Sequence, residues 1–232
     1  MPVAPFITGL PGVRAAVSAT HKIVFKRTGQ GYLQQGWQIN GALSRDPTNT
    51  PVSVLQPGVL MGKITATGLY APSILGVTTV AFTSGGTEIT VGAATAVELV
   101  RRIGSSGTFK LIGPPTAAGT VAATTTTFSA VNTSTGVITV TNPAADFIAG
   151  SFISPTDGSD VPLTFIPDGY GICVVDSDGS TNLTVEFPEM PIEGVVDSSQ
   201  LVNWPSDTSL QTRLIGQLNA SGAGHFTFDH LY

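Results

Sequence analysis

Three histidines, His21, His225 and His230, are the chain's whole supply of side chains that titrate near neutral pH, and Cys173 is its one thiol. His225 and His230 are an odd number of positions apart, so in one regular strand they face opposite sides and cannot share a metal or a substrate; only Asp229 could join His225 on its face. A single cysteine makes no internal disulfide and no metal cluster. Its setting, Gly171-Ile172-Cys173-Val174-Val175, predicts a buried strand thiol. The acidic turns Thr156-Asp157-Gly158-Ser159-Asp160 and Asp176-Ser177-Asp178-Gly179-Ser180 space carboxylates as a hard cation would want them. The second fails the helical calcium-loop pattern, because Gly179 falls one position after the second Asp and Glu186 follows too early, and both read as Asx-type turns. Glu186 and Glu189 could supply the carboxylate pair of a glycosidase, yet beside Pro188 and Pro191 they read as a surface loop. No Walker-type glycine loop, GxSxG elbow, HExxH or paired CxxC occurs. The reading is therefore of a chain that is not an enzyme, with no catalytic residue, no metal ligand and no cofactor to nominate.

The elements that would carry these residues are short strands. With 27 Gly, 16 Pro and abundant Thr in 232 residues, the chain predicts strands joined by tight turns. The fold class is mainly β with two or so short helices (α+β), long enough for one large or two small domains. Charged residues are 11% and hydrophobic residues 41%, the reverse of a disordered chain, and a surface so poor in charge suits packing into an assembly. No apolar run reaches the length of a membrane span, and the Pro- and Gly-broken start MPVAPFITGLPGVRAAV predicts neither a signal peptide nor membrane insertion.

Charge is divided unevenly. Residues 1–45 hold Arg14, Lys22, Lys26, Arg27 and Arg45 with no acid, whereas the remainder carries five bases and fifteen acids. A basic arm on an acidic body favours docking of the arm on an acidic protein surface. Five dispersed bases with little aromatic interleaving fall short of a phosphate-tracking patch, so direct nucleic-acid binding is not expected.

Residues 1–50 read as an extended basic arm, broken at Pro2, Pro5, Pro11, Gly12, Gly29, Gly31 and Gly36. Two β-capable pieces survive in it, Lys22-Ile23-Val24-Phe25-Lys26 and Gly36-Trp37-Gln38-Ile39, each able to add a strand to a sheet edge of another subunit or to fold back on its own body. Residues 51–76 and 147–232 read as one core domain and 77–146 as an inserted β-rich module. Within the module, residues 78–91 predict a hairpin turning at Ser84-Gly85-Gly86. Thr95 and Glu98 predict the capping box of a helix over 94–104, and strands follow at 108–112, 120–131 and 136–141 with Gly113-Pro114-Pro115 as a break. A second helix is predicted from a Ser206 or Asp207 cap with Leu210, Leu214 and Leu218 on one stripe, and the alternation in HFTFDHLY predicts a closing strand.

Leu55-Gln56-Pro57-Gly58, Gly62-Lys63-Ile64-Thr65, the Gly68-Leu69-Tyr70-Ala71-Pro72 turn and strand, Asp157-Gly158-Ser159, and the strand after Ile166-Pro167-Asp168-Gly169 together resemble the tailed-phage head decoration family, the lambda head protein D-like capsid-stabilising proteins. The resemblance spans roughly residues 40–75 and 147–232, and residues 77–146 depart from the family's minimal plan. It implies a β-tulip-like domain that trimerises over the local threefold positions of an expanded bacteriophage capsid, as a virion protein on the outer capsid surface made in the host bacterial cytoplasm. The partners implied are the major capsid protein and two further copies of the chain, with no small-molecule substrate and no membrane. Arm residues Arg14, Lys22, Ile23, Val24, Phe25, Lys26, Arg27 and Trp37 are the implied capsid contacts, and Pro57, Gly58, Gly62, Lys63, Gly68, Pro72, Asp157 and Gly158 carry the motif turns. The rival readings are a tail or fibre component or receptor-binding adhesin, and a particle-borne glycan hydrolase. Deletion of residues 1–45 is expected to leave a folded body.

Overall fold

A computed structural model describes residues 21–26, 31–33, 37–115, 121–141, 143–176, 179, 181–187, 189–220 and 224–229. The chain is mainly β. In order the described elements are β1 (Gly31–Leu33), β2 (Trp37–Asn40), β3 (Val54–Leu55), β4 (Leu60–Lys63), β5 (Tyr70–Pro72), β6 (Gly76–Val77), β7 (Glu88–Thr90), α1 (Ala93–Arg102), β8 (Gly107–Pro115), β9 (Val121–Asn132), β10 (Val137–Val140), β11 (Phe152–Ser154), β12 (Pro162–Phe165), β13 (Ile172–Cys173), β14 (Thr184–Phe187), β15 (Met190–Asp197), α2 (Thr208–Ala220) and β16 (His225–Asp229).

Strands β4 and β5 lie in a five-stranded sheet ordered β12-β4-β5-β2-β14, while β13, the strand after Asp168-Gly169, pairs with β3 in a two-stranded sheet and β1-β15-β16 form a three-stranded one. A six-stranded sheet ordered β6-β11-β8-β9-β10-β7 carries the middle of the chain. It takes in β6 and β11, and its core includes Leu75, Phe147 and Ile153, so the module reaches beyond both ends of 77–146. Ile112 and Phe152 of the same sheet point into another core, beside Leu60, Phe165 and α2 residues Leu210, Leu214 and Leu218. Strand neighbours project to opposite faces, which is how Phe152 and Ile153 can serve two cores. The module is thus continuous with the body.

The arm is where sequence and structure part. Val24 and Phe25 are buried in the α2 core, with the Phe25 ring 5.3 Å from Phe165, and Phe25 bridges Val196 of β15. Lys26 N–H donates to Val195 O at 2.8 Å and Asp197 N–H to Val24 O at 2.8 Å. Trp37 and Ile39 line a third core with Leu55, Met61 and Val174. The description of residues 1–50 as an extended arm therefore does not hold for 21–26 or 37–50. The β-capable run KIVFK, able to extend any open sheet edge, is taken up by this chain's own β15.

Other local differences have local causes. Helix α1 starts two residues before the Thr95 capping box would place its cap, with Gly92 at the N-cap and no side-chain cap, because Glu98 pairs with Arg101 instead of reaching back. Strand β8 runs through Gly113-Pro114-Pro115, where an irregularity between Ile112 and Pro115 accommodates proline in the ladder. The 78–91 segment keeps hairpin contacts at Thr78 and Thr79, but Phe82 bridges Phe147 instead. Cys173 is exposed, because Ile172 and Val174 on either side take the inward positions. Asp207 caps α2 as expected, its Oδ1 accepting from Ser209 N–H at 2.9 Å and Leu210 N–H at 3.1 Å. In β16, Phe226 and Phe228 are buried and His225 and Thr227 exposed, and His230 lies outside the described residues.

Candidate functional site

The two blocks that carry the family resemblance, separated by the whole module, pack directly on each other. Gly62 lies in β4 opposite Pro162 of β12, and a Cβ there would fall 2.1 Å from Ser159 O. Gly158, at φ +98°, leaves a Cβ no room because Thr65 Oγ1 would be 2.1 Å away, and Thr65 N–H donates to Asp157 O at 2.9 Å. Pro57-Gly58 turns beneath both: Gly58 N–H donates to Ile166 O at 2.8 Å and Val202 N–H donates to Gly58 O at 2.9 Å. Gly68 N–H closes its turn on Ile64 O, and Lys63 is exposed.

One side chain from the module locks this unit. Arg102, whose side chain is 1% exposed, donates from Nη1 to Pro72 O at 2.7 Å and from Nη2 to Ser159 Oγ at 2.6 Å and Asp157 Oδ2 at 3.2 Å. Asp157 Oδ1 accepts from Ser159 N–H at 3.0 Å and from Ser159 Oγ at 2.6 Å. Burial raises the Asp157 pKa, but Arg102 and the Ser159 hydrogen bonds more than offset this and hold the carboxyl below its usual range. Burial pulls the Arg102 guanidinium down, with Asp157 opposing. Its neighbour Arg101 pairs with Glu98 through Nε at 2.6 Å and donates to Ala42 O, binding α1 to the Gly41–Leu43 turn. Lys110 of β8 reaches Asp160 at 2.5 Å. The carboxylates of the first acidic turn are thus neutralised by the module's own cations. Sequence reading missed Arg102, although adjacent arginines closing a helix in a chain so poor in charge were a usable signal.

The nominated arm residues do not form one surface. Arg14 and Arg27 lie outside the described residues. Val24, Phe25 and Trp37 are interior, while Ile23 is 58% exposed. Asp168, from the second motif block, accepts at Oδ1 from Val24 N–H at 2.5 Å and Phe25 N–H at 3.1 Å, and Lys22 exchanges backbone hydrogen bonds with Gly169. Lys22 has its pKa lowered by burial, against the pull of Asp46. Lys26 lies 3.8 Å from Asp197. Glu186 and Glu189 are both exposed.

A pocket of ≈ 260 Å³ opens where the module meets α2, lined among others by Val77, Ile148, Asn203, Trp204, Pro205 and Asp207. The Trp204 ring stacks on Phe228 at 5.4 Å and 10°. Comparison of the chain with protein-family models, with curated proteins and with solved structures finds no match.

Proposed function

We propose that this chain is a structural virion protein that sits as a trimer on the outer surface of an assembled phage capsid and cements it against the pressure of packaged DNA. The observation that supports this reading is the mutual packing of the motif blocks. Residues around Pro57–Pro72 and Asp157–Asp168 carry the family resemblance, and they come together as one unit although the sequence separates them widely. In this reading each copy clamps neighbouring major capsid subunits, and contacts that are modest singly become effectively permanent when several engage together. The chain needs no cofactor and performs no catalysis. The low charge of the surface fits a molecule whose working state is packed against others.

Because residues 21–26 and 37–50 belong to the folded body, the proposal assigns the arm's capsid contacts to residues 1–20. Co-sedimentation with expanded capsids built from the major capsid protein of the same genome tests the proposal. Binding should saturate at one trimer per local threefold and weaken at least tenfold on deletion of residues 1–20. Well-folded full-length protein that stays in the supernatant would overturn it. A tail-fibre or adhesin role is the second reading, favoured by twelve-residue β9, which exposes Thr125, Thr127 and Ser129 along one face. Glycan-array binding without capsid binding would select it.

A further inference from the structure

The pocket where the module meets α2 holds polar groups that the body leaves unused. Asp207 commits Oδ1 to the N–H groups of Ser209 and Leu210, and its Oδ2 has no hydrogen-bond partner among the described residues. The side chains of Asn203 and Ser206, also in the lining, are unpartnered in the same sense. Together they offer a carboxylate acceptor, an amide that both donates and accepts, and a hydroxyl that does either. The rest of the lining is largely apolar and includes Val77 and Ile148, the latter 51% exposed. Trp204 completes it. Its ring is held by the stack on Phe228 and its Nε1 is buried, so the indole has carbon surface to give a ligand and no hydrogen bond.

These features narrow the ligand. At ≈ 260 Å³ the pocket lies just under the range of about 300–1,000 Å³ that encloses drug-sized molecules, so it takes one small ring and not a stretch of chain. A purely apolar ring would strip water from Asn203, Ser206 and Asp207 and put nothing in its place, which costs free energy at each. An anion would meet the Asp207 carboxylate with no Lys, Arg or His in the lining to offset the repulsion. An uncharged ring fits both kinds of wall when it has a face of C–H groups for Trp204 and Ile148 and hydroxyls around its edge for the three polar side chains. That is the form of a pyranose sugar.

We propose that the Trp204 pocket binds one neutral pyranose unit. The site is separate from the threonine face of β9, none of whose residues lines it. The inference goes beyond the capsid reading and does not rest on it.

Saturation-transfer NMR on the full-length chain tests this, with the methyl glycosides of glucose, galactose, mannose and N-acetylglucosamine as probes and methyl glucuronide as the charged control. At least one neutral glycoside should receive transfer and shift the indole N–H resonance of Trp204, while that of Trp37, in another core, stays in place. Asp207→Asn keeps a good helix cap and exchanges the carboxylate for an amide, so it should leave the fold intact and weaken binding about fivefold through loss of a charge-assisted hydrogen bond. Ala149→Trp fills the pocket from an exposed position and should abolish binding, and Ile148→Trp serves if Ala149→Trp lowers the yield of folded protein. Thr127→Arg, on the β9 face, should bind like the wild type. No transfer to any neutral glycoside, binding of methyl glucuronide as strong as theirs, or binding unchanged by Asp207→Asn or by the filled pocket would overturn the proposal, as would its loss in Thr127→Arg. Capsid binding is not read in this experiment, so failure of the sugar site and failure of the cementing role are separately visible.

Discussion

Arg102 joins α1 to both Pro72 and the Asp157–Ser159 turn through one buried side chain. It touches three groups from two distant parts of the chain, and removing it takes the guanidinium donor from Asp157 Oδ2 and Pro72 O while Asp157 Oδ1 keeps its bonds from Ser159. Arg102→Met should lower stability by about 3 kcal/mol, the low end for a broken buried pair, because Asp157 keeps roughly a third of its side chain in water. Urea unfolding checks the figure, and a loss under 1 kcal/mol would show that the ion pair is dispensable. The same pair sets an acid limit. The folded-state pKa of Asp157 lies below its unfolded value, so its contribution is complete above about pH 4 and is lost as pH falls through the lowered folded value. Thermal midpoints should therefore show the wild type and Arg102→Met differing most near neutrality and converging in acid. Cys173, being exposed, should be labelled by a thiol reagent in the native state without unfolding.

At the scale of elements, the telling segment is residues 22–26. Phe25 fills a place between Phe165 and Tyr32, and Asp168 receives two backbone donors from this stretch. Phe25→Ala should cost about 3–4 kcal/mol, the price of a large cavity in a packed core. Deleting 1–45 removes Val24, Phe25, Trp37 and Ile39 together, so it should yield protein that is insoluble or lacks a cooperative transition, whereas deletion of 1–20 leaves every described core residue in place. Circular dichroism melts of the two truncations separate these outcomes. Helix α2 offers a milder check: Asp207→Ala loses the cap that holds Ser209 and Leu210 N–H groups and should cost about 1 kcal/mol.

For the whole molecule, the module and body share the core under α2, where Ile112 and Phe152 meet Phe165 and Leu214. Replacing 77–146 by a short linker should therefore expose apolar surface and unfold the body, measurable as loss of the cooperative melt. A linker variant as stable as the full chain would mean that the module is a separable ornament. Much of this architecture was legible beforehand. Period-two alternation placed β16, flanking turn signals bounded the segments that became β4 and β9, leucines at spacing four with an aspartate cap placed α2, and glycines marked turns where φ is positive, as at Gly58 and Gly158. These signals are local, because strand alternation, helix stripe and turn strain depend on residues within a few positions of one another. The partners of those elements were not legible. KIVFK satisfies any open sheet edge equally well, and only the proximity of β15 and Asp168 makes it part of this chain's own core. Arg102 drew no reading from the sequence, because Pro72, Asp157 and Ser159 meet it only in the folded chain, and Cys173 looked buried until its neighbours took the interior. Composition and period determined the β class and most of its elements, while tertiary structure decided which edges, charges and ring faces remain for anything else to bind, because pairing depends on groups that meet only after the chain has closed on itself.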